Sequence, residues 1–230
     1  MSNAFDKASL VMLPHAYEDG KVYSLKPTDR SGDFTFSRGS DTATRVGEDG
    51  YIKKEIVNLL EQSNTFSDAV WSKSGMPLPT SGQAGYDGSN DAWIADFTGT
   101  ASRLENSISI NGLYTFSVYA KAGSAQGIRM RVNGSTTYQS HFLLSGDGSF
   151  ISGGISNSIT KIGDNGWYRC SITINDSLIS QVRIHASTGF GNGDGTLYIQ
   201  DAQLNQGLVA QDYLETTTAP VYGGLTDNMP

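Results

Sequence analysis

The sequence predicts an all-β protein: an antiparallel jelly-roll or lectin-like sandwich, preceded by an extended N-terminal arm that carries a β-hairpin. Three observations lead there. In residues 113–123, LYTFSVYAKAG, Tyr114, Phe116, Val118 and Ala120 alternate with Thr115, Ser117, Tyr119 and Lys121. That is the period-two pattern of a strand with one face in a core and one in water. Similar stretches recur with turn signals between them, as in all-β folds. Glycine is abundant, at 27 of 230 residues, and charged residues make up only 17%, a composition suited to many tight turns. The length allows one large β domain or a domain plus an arm. Such a chain buries roughly 70–75% of its unfolded surface, so it needs neither disulfides nor a metal to fold.

Taken in order, residues 1–32 read as extended chain rather than a domain, because the apolar run Leu10-Val11-Met12-Leu13 stops at Pro14 and turn-rich pieces follow. Strands are expected near 33–38, 43–47 and 51–56. Asp49-Gly50 lies between the last two as a hairpin turn, where glycine accepts the positive φ of a primed turn. Residues 63–69 hold the only short helix the pattern suggests, with Phe66 and Val70 four apart and Trp71 next. A Pro/Gly/Ser loop over 76–91 precedes strand candidates at 92–97 and 107–110. Beyond 113–123, Ile128, Met130 and Val132 face one way and Arg129 and Arg131 the other, and Asn133-Gly134 then turns the chain. Strands follow at 138–144, 167–174 and around Val182, Ile184 and Ala186, with a Ser/Gly-rich region between 150 and 162. In 167–174, Tyr168, Cys170, Ile172 and Ile174 point inward and Trp167, Arg169, Ser171 and Thr173 outward. The last strand, 196–204, carries an irregularity near Asp201-Ala202, and the Thr-rich end after Tyr213 adds nothing evident to the core. The organisation expected is a docking arm over 1–57, a sandwich over 58–215 and an extended tail over 216–230.

Composition narrows the function. A net charge of −7 and a pI near 4.8 argue against nucleic acid, which demands a basic footprint. No apolar run approaches the ~20 residues of a membrane span, so no membrane partner is expected. Met1-Ser2-Asn3-Ala4 lacks the basic and apolar regions of a secretory signal. The single cysteine, Cys170, rules out an intrachain disulfide and fits synthesis in a reducing compartment.

Five segments stand in a recognisable order: GDFTFSRGSDTATRVGEDGYI (32–52), NLLEQSNTFSDAVW (58–71), YTFSVYAKAG (114–123), GWYRCSITI (166–174) and YIQDAQLNQGLVAQDYLETTTAP (198–220). This order resembles a module of tailed-bacteriophage virion proteins found in tail, fibre and head-decoration components, and the resemblance covers residues 9–220. It implies a concanavalin-like or carbohydrate-binding-module-like sandwich behind an N-terminal structural segment. It also implies a location in the virion after synthesis in the host cytoplasm. One departure is Asn205, where the family usually has glutamate. The leading expectation is a non-enzymatic structural protein acting through protein contacts. The alternative is a glycan-binding adhesion module for host cell-surface carbohydrate.

The residues themselves offer little catalytic chemistry. A glycosidase needs two carboxyls roughly 5–10 Å apart, yet no glutamate lies between Ser107 and Leu214. Asp147, Asp164, Asp176 and Asp194 adjoin Gly or Asn, where turn formation explains them. Cys170 falls on an inward face as a small hydrophobe. His15, His141 and His185 form no metal-ligand spacing, and no phosphate loop is present. No enzyme is therefore expected. Calcium is the one cofactor left open, with Asn192, Asp194 and Asp201 as oxygen ligands at one end of the sandwich. For a glycan, Trp167, Tyr119 and Tyr138 are the candidate stacking platforms, and Arg129, Arg131 and Arg169 the candidate donors. The competing reading covers these outward aromatics with residues 1–57 or with a neighbouring subunit. Because Phe34, Phe36, Val46 and Ile52 need something to bury against, the two chain ends are expected to make the contacts of a homo-oligomer. By analogy with phage fibres that oligomer is a trimer, and other virion proteins are further expected partners.

Overall fold

A computed structural model of the chain describes residues 4–18, 21–35, 44–46, 52–54, 56–99, 101–151, 153–188 and 191–223. It divides into two compact units, residues 1–57 with 222–230 and residues 58–221. In the first unit, α1 (Ala4–Lys7) precedes three antiparallel strands, β1 (Val11–Glu18), β2 (Lys21–Lys26) and β3 (Phe34–Thr35). β4 (Thr44–Val46) and β5 (Ile52–Lys54) pair with Val46 opposite Ile52. The connecting Asp49-Gly50 lies outside the described residues, as do Phe36 and the side chains of Val46 and Ile52. Residues 1–32 thus contain a paired hairpin rather than unpaired extended chain. Pro14 does not end β1, because it falls in the stretch between Met12 and Tyr17 where the register shifts and a missing N–H donor is tolerated. Phe34, expected to be buried, is 51% exposed in the single chain.

The remaining strands are β6 (Ile56–Asn58), β7 (Trp71–Ser74), β8 (Thr80–Gln83), β9 (Ala92–Asp96), β10 (Arg103–Ala122), β11 (Gly127–Gly134), β12 (Thr137–Leu143), β13 (Ser149–Ile151), β14 (Ser156–Ile162), β15 (Trp167–Thr188), β16 (Gly191–Asn192), β17 (Thr196–Gln206) and β18 (Val221–Gly223). Residues 107–110 and 113–123, two strands by pattern, are one 20-residue strand, β10. Likewise 167–174 and 182–186 are one 22-residue strand, β15. No turn separates the halves. The chain bends instead, at register shifts around Ile110 and at Gly112, whose φ of 109° suits glycine.

These two bent strands belong to both layers of the sandwich. The first sheet runs β13-β12-β11, then the C-terminal half of β15, the N-terminal half of β10, and β7. The second runs β14, the N-terminal half of β15, the C-terminal half of β10, then β17, β9 and β8. Their inner faces meet in one core. Leu104, Ile128, Met130, Val132, Phe142, Val182 and Ile184 come from the first sheet; Phe116, Val118, Cys170, Ile172, Leu197, Ile199 and Leu204 come from the second. Phe116, Val118, Cys170, Ile172 and Ile184 are all fully buried, as their alternation requires.

Residues 63–69 form no helix. They make successive i→i+3 turns, with Thr65 N donating to Gln62 O, Asp68 N to Thr65 O, and Trp71 N to Asp68 O. The Asp68 carboxylate also accepts from Val70 N at 2.9 Å, a local bond that competes with helix continuation. The irregularity expected at Asp201-Ala202 is a β-bulge: Ser117 pairs with Gln203 but Tyr119 with Gln200, and Asp201 has φ 55°. The Thr-rich end does enter the fold, because Thr216 is 2% exposed and its backbone N–H donates to Ser63 Oγ at 2.9 Å. Asn58 is fully buried and fully bonded. Its amide donates to Ala202 O and Leu214 O, and its Oδ1 accepts from Leu60 N and Leu204 N.

Candidate functional site

The outer face of the first sheet carries three polar rows, set by strand register. His141, Arg129 and His185 form one row. Gln139, Arg131, Arg183, Glu105 and Ser72 form the next, and Thr137, Asn133, Gln181 and Ser107 the third. Their neighbours in sequence, Ile128, Met130, Val132, Val182 and Ile184, fill the core, so the strands cannot rotate these side chains away. Glu105 Oε2 lies 2.9 Å from both Arg103 Nε and Arg183 Nε. Arg131 Nε donates to Asn133 Oδ1 at 2.8 Å, Arg183 Nη2 to Gln181 Oε1 at 2.6 Å, and Asn133 Nδ2 to the same Gln181 oxygen at 3.1 Å. Arg103, Arg129, Arg131 and Arg183 face one carboxylate, leaving a formal charge of about +3 on a chain whose total is −7.

His185 lies within this cluster at 5% exposure. Its Nδ1 donates to the Ser102 carbonyl at 3.1 Å, which fixes the tautomer, since a carbonyl cannot donate. Burial first, and the Arg129 charge second, lower its pKa to about 3, so the ring is neutral. The Nε2 lone pair is buried with no hydrogen-bond partner among the described residues.

The residues singled out from sequence do not share one surface. Arg129 and Arg131 stand on this face. Tyr138 points to the core side of β12, half-buried against the core. Trp167, Tyr119 and Arg169 belong to the outer face of the second sheet, and that face is covered. Trp167 is 1% and Tyr119 9% exposed, so neither is an open stacking platform. Tyr86 stacks on Tyr119 with ring centroids 3.7 Å apart and planes 4° from parallel, and meets Trp167 edge-on. Part of the cover comes from the chain's own loop around Tyr86 and from residues 207–214. Outward-facing side chains hold residues 207–214 by their backbone. Thr115 donates to Gly207 O, Thr173 to Leu208 O, Asn205 to Val209 O, Arg169 to Gln211 O, and Gln203 to Gln211 O and Asp212 O. Asn205 also accepts from Gln211 N at 3.1 Å. A groove of about 180 Å³ remains beside the cover, lined by Ser156, Ser158, Thr160, Arg169, Ser171, Thr173 and the 208–210 backbone segment.

Two of the three calcium candidates, Asp194 and Asp201, stand apart. Asp194 is exposed ahead of β17, whereas Asp201 is 5% exposed and accepts from Tyr86 Oη at 2.8 Å. Five residues of extended strand, about 16 Å at ~3.3 Å per residue, separate Thr196 from Asp201. The Asn192 side chain lies outside the described residues. Burial raises the Asp201 pKa to about 7, with the Asp91 and Asp87 charges adding to the shift and the Tyr86 hydroxyl opposing it. Among the described residues, no three His, Cys, Asp or Glu side chains form a metal cluster.

Sequence reading missed Arg103, Glu105, Gln139, Gln181, Arg183 and, as a site residue, His185. The inward alternation of Val182, Ile184 and Ala186 implied three of them, since Gln181, Arg183 and His185 are the residues between and beside those positions.

No protein-family model matches the chain, and no curated protein matches it. Among solved structures, it is similar to the CBM22-1–GH10 modules of the N-terminal endo-1,4-beta-D-xylanase 10B of Clostridium thermocellum complexed with xylohexaose. There the identity is 11% and the TM-score 0.41, over 70% of this chain and 30% of that one. The enzymatically active domain of bacteriophage CBA120 tailspike protein 4 matches at 8% identity and TM-score 0.37, over 65% and 21%. The second N-terminal cellulose-binding domain of Cellulomonas fimi beta-1,4-glucanase C matches at 16% and 0.36, over 66% and 96%. The chain thus spans less than a third of each of the first two. At these scores the likenesses carry no argument about ligand or activity.

Proposed function

We propose that the chain is a non-catalytic carbohydrate-binding module whose binding surface is the outer face of the first sheet. The observation that carries this is the three-row array of guanidinium, amide and hydroxyl groups on a sheet face whose other side is a packed core. Sugar hydroxyls both donate and accept, so a rigid surface that offers both kinds of partner at fixed strand spacing suits them. The exposed side chains of Thr137, Gln139 and Ser107 lie beside half-buried Arg131, Asn133 and Gln181, and Ile151, 49% exposed and paired with His141, gives an apolar margin. Glu105 is the one carboxylate on this face among the described residues, whereas hydrolysis by the common glycosidase route uses two. The motif order shared with virion modules favours a particle surface as the setting, host glycan as the partner and residues 1–57 as the docking part. The same motifs favour a purely structural role as the second reading.

The test is a polysaccharide microarray followed by calorimetry, comparing wild type with Gln139→Ala/Gln181→Ala. The expected result is saturable binding to at least one glycan class, weakened ~10-fold or more in the double variant with an unchanged melting temperature. Binding that survives this change but is lost on Ser158→Tyr would move the site to the groove on the second sheet and overturn the assignment.

A further inference from the structure

We infer that the ligand of this face is an acidic saccharide, recognised through its carboxylate. This deepens the glycan-binding reading and rests on it. The argument begins with orientation. Arg103 and Arg131 have Nε hydrogen-bonded within the sheet, to Glu105 and Asn133, while Arg183 donates from Nη2 to Gln181 Oε1 and lies with Nε 2.9 Å from Glu105 Oε2 as an ion pair. A guanidinium tied at one nitrogen is restricted in orientation, which presets the direction of the N–H groups it has left over. Nη1 of each of the three has no hydrogen-bond partner among the described residues. A planar carboxylate matches a guanidinium fork with two parallel bonds.

Charge argues the same way. Arg131 lies directly opposite Arg183 across the β11–β15 pair, and like charges facing each other on a sheet are unfavourable. Burial and neighbouring cations lower the pKa values of Arg129 and Arg183, so the cluster is held against its own repulsion. Glu105 offsets one charge. An anion between the rows would offset more and relieve the repulsion. His185 adds a second, independent feature: a buried neutral ring whose Nε2 lone pair lacks a donor among the described residues. A buried acceptor without a donor is costly. It cannot help bind a carboxylate, but it can accept from a hydroxyl. A sugar bearing both groups satisfies the guanidinium forks and the imidazole together, which neither a neutral sugar nor a simple anion does.

The experiment uses the full chain in isothermal titration against polygalacturonate, its fully methyl-esterified form, dextran sulfate and neutral xylan. Binding to polygalacturonate is expected, at least ~10-fold weaker after esterification and weaker with added salt. Arg131→Gln should lose ~10-fold or more, and Arg131→Lys, which keeps the charge but not the fork, should fall between it and wild type, with equal melting temperatures as the folding control. Equal binding to xylan and polygalacturonate would overturn the acidic-ligand inference while leaving the glycan-binding reading intact. Equal binding to dextran sulfate would overturn carboxylate recognition in favour of charge alone. Silence toward all four, together with a blank microarray, would overturn both.

Discussion

Asp201 makes folding stability depend on pH in an unusual direction, and Asp201→Asn isolates the effect. The carboxyl is 5% exposed in the bulge of β17, with Tyr86 Oη at 2.8 Å and the carboxylates of Asp87 and Asp91 close enough to repel it. Its pKa rises from 3.8 to about 7 on folding. A raised carboxyl pKa means that the native state holds a proton the unfolded chain has already released. Its contribution is therefore full below pH ~4 and is lost as pH rises to about 7. At about 1.4 kcal/mol per pKa unit, roughly three units amount to a loss of about 4 kcal/mol, an upper figure for a group that keeps some solvent access. The neutral amide introduced by Asp201→Asn would mimic the protonated acid and keep an acceptor for Tyr86. Urea unfolding at pH 4, 5.5, 7 and 8.5 would measure this. The difference between variant and wild type should be small at pH 4 and grow to about 2–4 kcal/mol in favour of the variant by pH 8.5. A difference that is flat with pH, or one favouring wild type at high pH, would refute the protonated, buried carboxyl.

Two other outcomes follow from burial. Asn58→Ala removes four hydrogen bonds and strands two buried N–H groups and two carbonyls, so equilibrium unfolding should show a loss of at least about 3 kcal/mol. Cys170 is fully buried and burial pushes its thiol pKa up, so a thiol reagent should label it in denaturant but not, within hours, in native buffer at pH 8.

Much of the fold was legible because period-two alternation is local. Phe116, Val118, Cys170 and Ile172 report their own burial through the residues two positions away. The fusion of strands into β10 and β15 was not legible, because a bend at Gly112 and a tight turn share the same glycine signal. The covered face was also hidden. Whether Trp167 meets water depends on residues 207–214, some forty positions later, held in large part by bonds to their backbone, which their own sequence does not signal. For the candidate site, the half on β11 was visible in Arg129 and Arg131. The β15 half was implied by the same alternation but became a surface only when strand order put Arg183 beside Arg131.

The continuous paths of β10 and β15 also have a mechanical consequence. In a sandwich whose layers are joined only by loops, the layers can part once their core contacts fail, each keeping its own ladder. Here two strands carry hydrogen-bonded backbone from one layer into the other, so the β10–β15 ladder is a continuous spine that keeps the layers tethered even where core contacts fail. A load borne by the exposed face passes along β10, through the bend at Gly112, to Tyr119 and the Tyr86 ring stacked on it.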